Sequence, residues 1–144
     1  VPVAECHIRQ IAAVMRERER NRVLALGGDA AALIAHEVAT SFFCYAGLIG
    51  DEVLALGGVK CDDLFADQAY AWLLCSDRVT QFPIAFTRAV IEVKQQALAR
   101  FDTVWALVAA DFPASLRWLK RIGFTVEDAE GGFHRAWCGK PPGS

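Results

Sequence analysis

The chain has 144 residues, 54% of them hydrophobic, and a formal net charge of −2. That length suits one domain with one sizeable core, and the charge excludes a global basic field of the kind that draws proteins to nucleic acid or anionic lipid. The apolar residues are dispersed, and no run reaches the roughly 18 unbroken apolar residues of a membrane-spanning helix.

Ile8, Ile11, Ala12 and Met15 recur at helical spacing and predict an amphipathic helix from Glu5 to about Arg20. Its end, Arg16-Glu17-Arg18-Glu19-Arg20, reads as a solvated face with Arg16–Glu19 and Glu17–Arg20 pairs at i,i+3. Gly27-Gly28 stops one element, and Asp29 is placed to cap a second helix through Ala39. Ser41 to Ile49 is rich in aromatic and β-branched residues, Gly50-Asp51 supplies a turn, and Val53 to Val59 continues apolar. This is a hairpin pattern. Cys61-Asp62-Asp63 and Ala66-Asp67 mark a polar connection before a strand from Ala69 to Cys75.

Phe82-Pro83 opens a third helix, with proline suited to its first turn. Phe86, Ala89, Val90, Val93, Ala97 and Phe101 predict a continuous buried stripe along it. Thr103 to Ala109 is an apolar strand of the kind found inside a parallel sheet. Pro113 starts a short fourth helix carrying Leu116, Leu119 and Ile122. Lys120 and Arg121 complement its C-terminal dipole, and Gly123 ends it. Phe124-Thr125-Val126 and Phe133 to Trp137 form a last strand pair, and Gly139 to Ser144 reads as a flexible tail after a single domain over residues 1–138.

The five cysteines (Cys6, Cys44, Cys61, Cys75, Cys138) are odd in number and lack C-x-x-C spacing, and the three histidines (His7, His36, His134) lie far apart. Neither pattern is a local zinc signature, so reduced thiols and no metal are expected. The segment Val1-Pro2-Val3-Ala4-Glu5 lacks the basic-then-apolar design of a signal peptide, which makes a cytoplasmic location the expectation.

The element order is two helices, three strands, helix, strand, helix, two strands. The strand–helix–strand crossover makes its two strands parallel. The expected architecture is α/β: a mixed central sheet with helices on both faces. This order, together with Ala114-Ser115-Leu116-Arg117-Trp118-Leu119-Lys120-Arg121-Ile122-Gly123-Phe124, resembles the GNAT superfamily of acetyl-CoA-dependent acyltransferases. A narrower resemblance is to GNAT-like proteins of tailed phages, including internal virion proteins. It is carried by Met15-Arg16-Glu17, Val53-Leu54-Ala55-Leu56-Gly57-Gly58-Val59, Ala71-Trp72-Leu73-Leu74-Cys75-Ser76 and Arg117 to Phe124.

The resemblance implies acetyl transfer from acetyl-CoA to an amine by direct attack. The cofactor would lie between the strand ending at Cys75 and the strand Thr103 to Ala109. Transfer of this kind needs a held pyrophosphate, a donor for the developing oxyanion and a proton acceptor. The superfamily holds the pyrophosphate on an Arg/Gln-x-x-Gly-x-Gly/Ala loop at a helix N-terminus. The corresponding segment, Cys75-Ser76-Asp77-Arg78-Val79-Thr80-Gln81-Phe82-Pro83, contains no glycine. By resemblance the cofactor contacts are Leu74, Cys75, Ser76, Arg78, Thr80, Gln81 and Ser115, with backbone N–H groups near Leu74 to Ser76 polarising the thioester. The alternative is an ordinary strand-to-helix loop in which Thr80 caps the helix.

Many members carry an acid tyrosine where Leu119 stands here, beside Trp118. Tyr45 and Tyr70 read as packing residues within strands. Candidates for the base are His36, Glu37, Glu52 and His134, each with an ordinary structural alternative. Two readings follow. One is an enzyme with an amine substrate. The other is a catalytically inactive phage virion or assembly protein with a phage protein partner, virion-associated rather than cytoplasmic. A second copy of the chain is a further candidate partner, and nucleic acid is disfavoured by the charge.

Overall fold

The computed structural model describes residues 1–14, 29–61, 66–110 and 113–141. In chain order the elements are α1 (Glu5–Val14), α2 (Ala30–Ala39), β1 (Phe43–Ile49), β2 (Glu52–Lys60), β3 (Gln68–Cys75), a 3₁₀ helix (Asp77–Gln81), α3 (Pro83–Arg100), β4 (Thr103–Ala109), α4 (Pro113–Arg121), β5 (Thr125–Val126) and β6 (Phe133–Gly139). The strands make a six-stranded mixed sheet in the order β1-β2-β3-β4-β6-β5. The expected α/β class and element order hold, with the 3₁₀ helix added. Met15, the charged run from Arg16 to Arg20 and Gly27-Gly28 lie outside the described residues, as do Asp62 and Asp63. Among the described residues no helix is long and apolar enough to cross a membrane.

The chain divides into two compact units, one of residues 1–60 with 72–89, the other of residues 61–71 with 90–144. In the first, β1 and β2 form the predicted antiparallel hairpin, with Phe43 opposite Val59 and Ile49 opposite Glu52. A side chain at Gly58 would put a Cβ 2.4 Å from the Phe43 carbonyl oxygen, so glycine is what lets these strands approach. The Asp29 carboxylate accepts from the Ala31 N–H at 3.1 Å and starts α2 as predicted. Ile11 of α1 and Ile34 of α2 meet Ala46, Val53 and Leu56 in a core cluster bordered by Trp72 and Leu74. A second cluster joins Ala55, Cys75 and Val79, with Leu73 and Phe86 packed against it. β3 therefore sends alternate side chains into two cores, as strand geometry requires.

In the second unit β3 runs parallel to β4, with Gln68 opposite Thr103 and Tyr70 opposite Trp105. β6 is antiparallel to both β4 and β5. β4 is thus not the interior strand of a parallel sheet, and its Leu107 is 46% exposed. Antiparallel partners can leave one face to solvent, whereas all-parallel strands are covered on both. The stripe of α3 also needs correction: Ala89 is exposed, while Ala97 and Phe101 at the helix's end are buried. Steps of four and three residues from Phe86 through Val90, Val93 and Ala97 trace the inward face, and Ala89 falls beside it.

α4 stops where the glycine predicts. The Phe124 N–H donates to Leu119 O at 2.9 Å and the Gly123 N–H to Lys120 O at 3.2 Å, while Gly123 has φ +101°. This is a Schellman closure, with Phe124 and Leu119 both buried beside it. The Lys94 ammonium donates to the Ile122 carbonyl at 2.6 Å, satisfying another C-terminal acceptor. At the end of β6 the Lys140 N–H donates to Asp102 O at 2.9 Å, and the Thr103 hydroxyl donates to Lys140 O at 2.6 Å.

Candidate functional site

The candidate site in the first unit is the junction where β3 ends and α3 begins. Leu74 and Cys75 close the strand, and Cys75 is 2% exposed within its apolar cluster. A buried thiol in such surroundings is inert packing. Burial likewise raises the pKa of the Cys44 thiol, and that of Cys138, where the charge of Lys94 opposes the effect.

Ser76 is the pivot. Its N–H donates to Leu54 O at 2.8 Å and its carbonyl accepts from the Val79 N–H at 3.2 Å. The expectation that N–H groups here polarise a thioester therefore fails for Ser76, whose N–H is committed to β2. Along a strand the N–H direction alternates, so the Cys75 N–H points away from β2. Ser76 is also the N-cap of the 3₁₀ helix, but its side chain makes no capping bond. The residue is 3% exposed, and its Oγ has no hydrogen-bond partner among the described residues.

The 3₁₀ helix Asp77–Gln81 replaces the expected open loop. Thr80 does not cap α3: its hydroxyl donates to Asp77 O at 3.0 Å within the 3₁₀ turn. The residue before α3 is Phe82, which has no side-chain oxygen to offer. Val79 is buried and anchors the turn, leaving Arg78, Thr80 and Gln81 exposed. The Arg78 guanidinium pairs with the Glu52 carboxylate at the start of β2 and lies 6.0 Å from the Phe82 ring centroid. The structure thus brings together a predicted cofactor contact and a predicted base, a pairing that 26 residues of separation hid from sequence reading.

The other candidates are dispersed. Glu37 pairs with Lys60 at 3.0 Å. Its carbonyl accepts from the Ser41 hydroxyl at 2.7 Å, and that hydroxyl accepts from the Trp72 indole at 2.8 Å. His36 is exposed on α2 in the first unit, and its ring has no hydrogen-bond partner among the described residues. His134 lies on β6 in the second unit, with Nδ1 2.7 Å from Glu127 O. Ser115, in the first turn of α4, also belongs to the second unit. Leu119 is buried at 9% exposure, so the position a tyrosine would occupy is packed. Tyr45 stacks with Phe43 at 5.6 Å and Tyr70 with Trp105 at 4.8 Å, in keeping with packing roles.

A nucleotide pyrophosphate at this junction would find an arginine, the side-chain amide of Gln81 and a buried hydroxyl with unspent hydrogen-bonding capacity. It would also face the exposed Asp77 and a proline at the first position of α3, which has no N–H to donate. The donor set fits an anion through Arg78 and Ser76 rather than through a glycine cradle.

No protein-family model and no curated protein matches the chain by sequence. By fold, solved structures do match. The chain is similar to the PaiA N-acetyltransferase of Thermoplasma acidophilum in complex with coenzyme A, at 11% identity, TM-score 0.73, covering 97% of each chain. It is similar to a ribosomal-protein-alanine N-acetyltransferase from Brucella melitensis at 10% identity and TM-score 0.69, covering 97% of this chain and 98% of that one. A GNAT family acetyltransferase from Elizabethkingia anophelis with acetyl-CoA bound matches at 11% identity and TM-score 0.60, over 76% and 82%. The fold is that of the GNAT acetyltransferases.

Proposed function

We propose that the chain is an acetyl-CoA-dependent N-acetyltransferase that passes the acetyl group to an amine by direct attack. The observation that supports this best is the near-complete overlap with an N-acetyltransferase in complex with coenzyme A, over 97% of both chains. When bound, the thioester supplies an activated acetyl carbon and a thiolate leaving group. Arg78 and Gln81 are the residues that would hold the cofactor phosphates, and Arg78 would give up Glu52 to do so. Ser76 offers its buried hydroxyl to the ligand. Of the four base candidates, His36 is the imidazole with no ring partner among the described residues, and it takes the amine proton. The same reading treats residues 1–138 as one domain of phage or prophage origin, on the strength of the four phage-like segments.

A second reading, a catalytically inactive phage virion or assembly protein, is favoured by the lack of glycine in the 3₁₀ segment and by the ion pairs that hold Arg78 and Glu37. Calorimetry with acetyl-CoA separates the two. Micromolar binding that weakens in Arg78→Ala supports the transferase. No heat at millimolar cofactor sinks it and leaves the inactive reading.

A further inference from the structure

The start of α1 is closed by a side chain whose grip depends on its protonation. Ala4 precedes the helix, and its carbonyl accepts from the His7 N–H at 3.0 Å and the Ile8 N–H at 3.3 Å. The Ala4 N–H in turn donates to His7 Nδ1 at 2.9 Å. This is half of a capping box, in which the residue at the third helical position reaches back to the N–H just before the helix. Glutamate or glutamine ordinarily makes that bond, through an oxygen that accepts throughout the neutral range. Histidine accepts only while its ring is neutral. A backbone N–H can only donate, so Nδ1 carries no proton here and Nε2 does.

The bond ties two pieces of structure together. Upstream, residues 1–3 run along the outer edge of β1. The Ala46 N–H donates to Val1 O at 2.7 Å, the Val1 nitrogen donates to Ala46 O at 3.0 Å, and Pro2 lies opposite Tyr45. Val3 of this arm and Ile8 of α1 pack on the same core cluster of Ile11, Ile34, Ala46, Val53 and Leu56. A protonated ring would turn a second N–H toward the Ala4 N–H. It would also place a positive charge in the first turn, against the helix dipole.

The charged groups around α1 are engaged elsewhere. Glu5, two residues from His7 and on another face, pairs with Arg9 at 3.0 Å. On the elements packed against α1, β2 carries Glu52, paired with Arg78, and Lys60, paired with Glu37 of α2. α2 adds His36, and its capping Asp29 accepts from the Ala31 N–H. β1 adds Cys44 and Tyr45. Among the described residues none of these groups is bonded to the His7 ring, whose partner is Ala4. We propose that His7 is a proton-operated latch. Its neutral ring holds the start of α1 and, through Ala4, the arm of residues 1–3 on β1; protonation loosens both. The hold is complete in slightly alkaline solution and is lost as pH falls through the range in which histidines ordinarily titrate, about pH 8 to 5.

The test follows the whole isotope-labelled chain by heteronuclear NMR from about pH 8 to about 5.5, above the range in which carboxylates ordinarily titrate. At the alkaline end the His7 ring is expected to show the Nε2–H tautomer. On acidification the exchange protection of the Ala4 and Ala46 amides, corrected for intrinsic rates, is expected to fall about threefold to tenfold. His7→Gln supplies an acceptor that does not titrate and leaves His36 and His134 in place, so its protection is expected to hold across the series. His7→Ala is expected to show at every pH the weak protection that the wild type shows only in acid. An Nδ1–H tautomer at the alkaline end overturns the proposal. So does wild-type protection that ignores pH, or a pH-dependent loss that persists in His7→Gln. Should His7→Gln fail to fold, the wild-type tautomer and pH series decide alone. The outcome does not depend on whether acetyl-CoA binds.

Discussion

Two turns of this chain invite comparison because both connect helix and strand and both sit in segments that resemble the GNAT superfamily. The turn after α4 uses glycine: Gly123 takes φ +101°, which L side chains rarely adopt, and the two Schellman bonds form around it. The turn after β3 has no glycine and no residue at positive φ. It is built as a 3₁₀ helix, which reaches α3 through right-handed conformations open to any residue. One connection is decided by backbone geometry. The other is decided by what its side chains grip, with Val79 buried below and Arg78 tied to Glu52 above.

Breaking the first turn should have the larger effects. Phe124→Ala empties a buried aromatic site and is expected to cost about 3–5 kcal/mol in urea denaturation. Gly123→Ala is expected to cost about 1–3 kcal/mol, set by the positive φ. The new Cβ would lie 3.2 Å from the Lys94 Nζ, but the end of a lysine moves cheaply. A Gly123→Ala protein as stable as wild type would mean the turn can be rebuilt without left-handed backbone, ending the contrast.

The second turn should respond less. The side chains of Arg78 and Glu52 are 51% and 42% exposed, so a double-mutant cycle of Arg78→Ala and Glu52→Ala is expected to give a coupling below about 1 kcal/mol that shrinks with salt. A larger, salt-insensitive coupling would show that the pair holds the turn together. Ser76→Ala removes a buried hydroxyl that has no partner among the described residues, and is expected to leave stability unchanged or raise it by up to about 1 kcal/mol. If the hydroxyl serves the ligand, the same variant weakens acetyl-CoA binding in calorimetry while its melting temperature holds. A loss of stability would instead assign Ser76 to the fold.

Much of the fold was legible because its signals are local. The Asp29 cap, the Gly50-Asp51 hairpin turn, Pro83, Pro113 and Gly123 each state a backbone requirement within a few residues, and the elements begin and end at them. The candidate site was legible only as a segment. Nothing near Arg78 announces Glu52, and nothing near Ser76 announces that Leu54 takes its N–H, because both partners come from β2. Thr80 shows the limit from the other side: a hydroxyl before a helix suggests a cap, yet the intervening 3₁₀ turn offered a nearer acceptor.

The sequence alone determined the order and type of the elements, since propensity, periodicity and turn chemistry act over short stretches of chain. Tertiary structure decided which strand faces solvent, which charges meet and which polar atoms are buried without partners. Those outcomes depend on atoms brought together across the sheet, as where β2 meets the end of β3 and where Arg135 of β6 meets Trp105 of β4. A composition or a spacing cannot report that the Ser76 hydroxyl and the Arg135 Nε are buried without a hydrogen-bond partner among the described residues. Both are differences between what a side chain can bond and what the folded chain places within its reach.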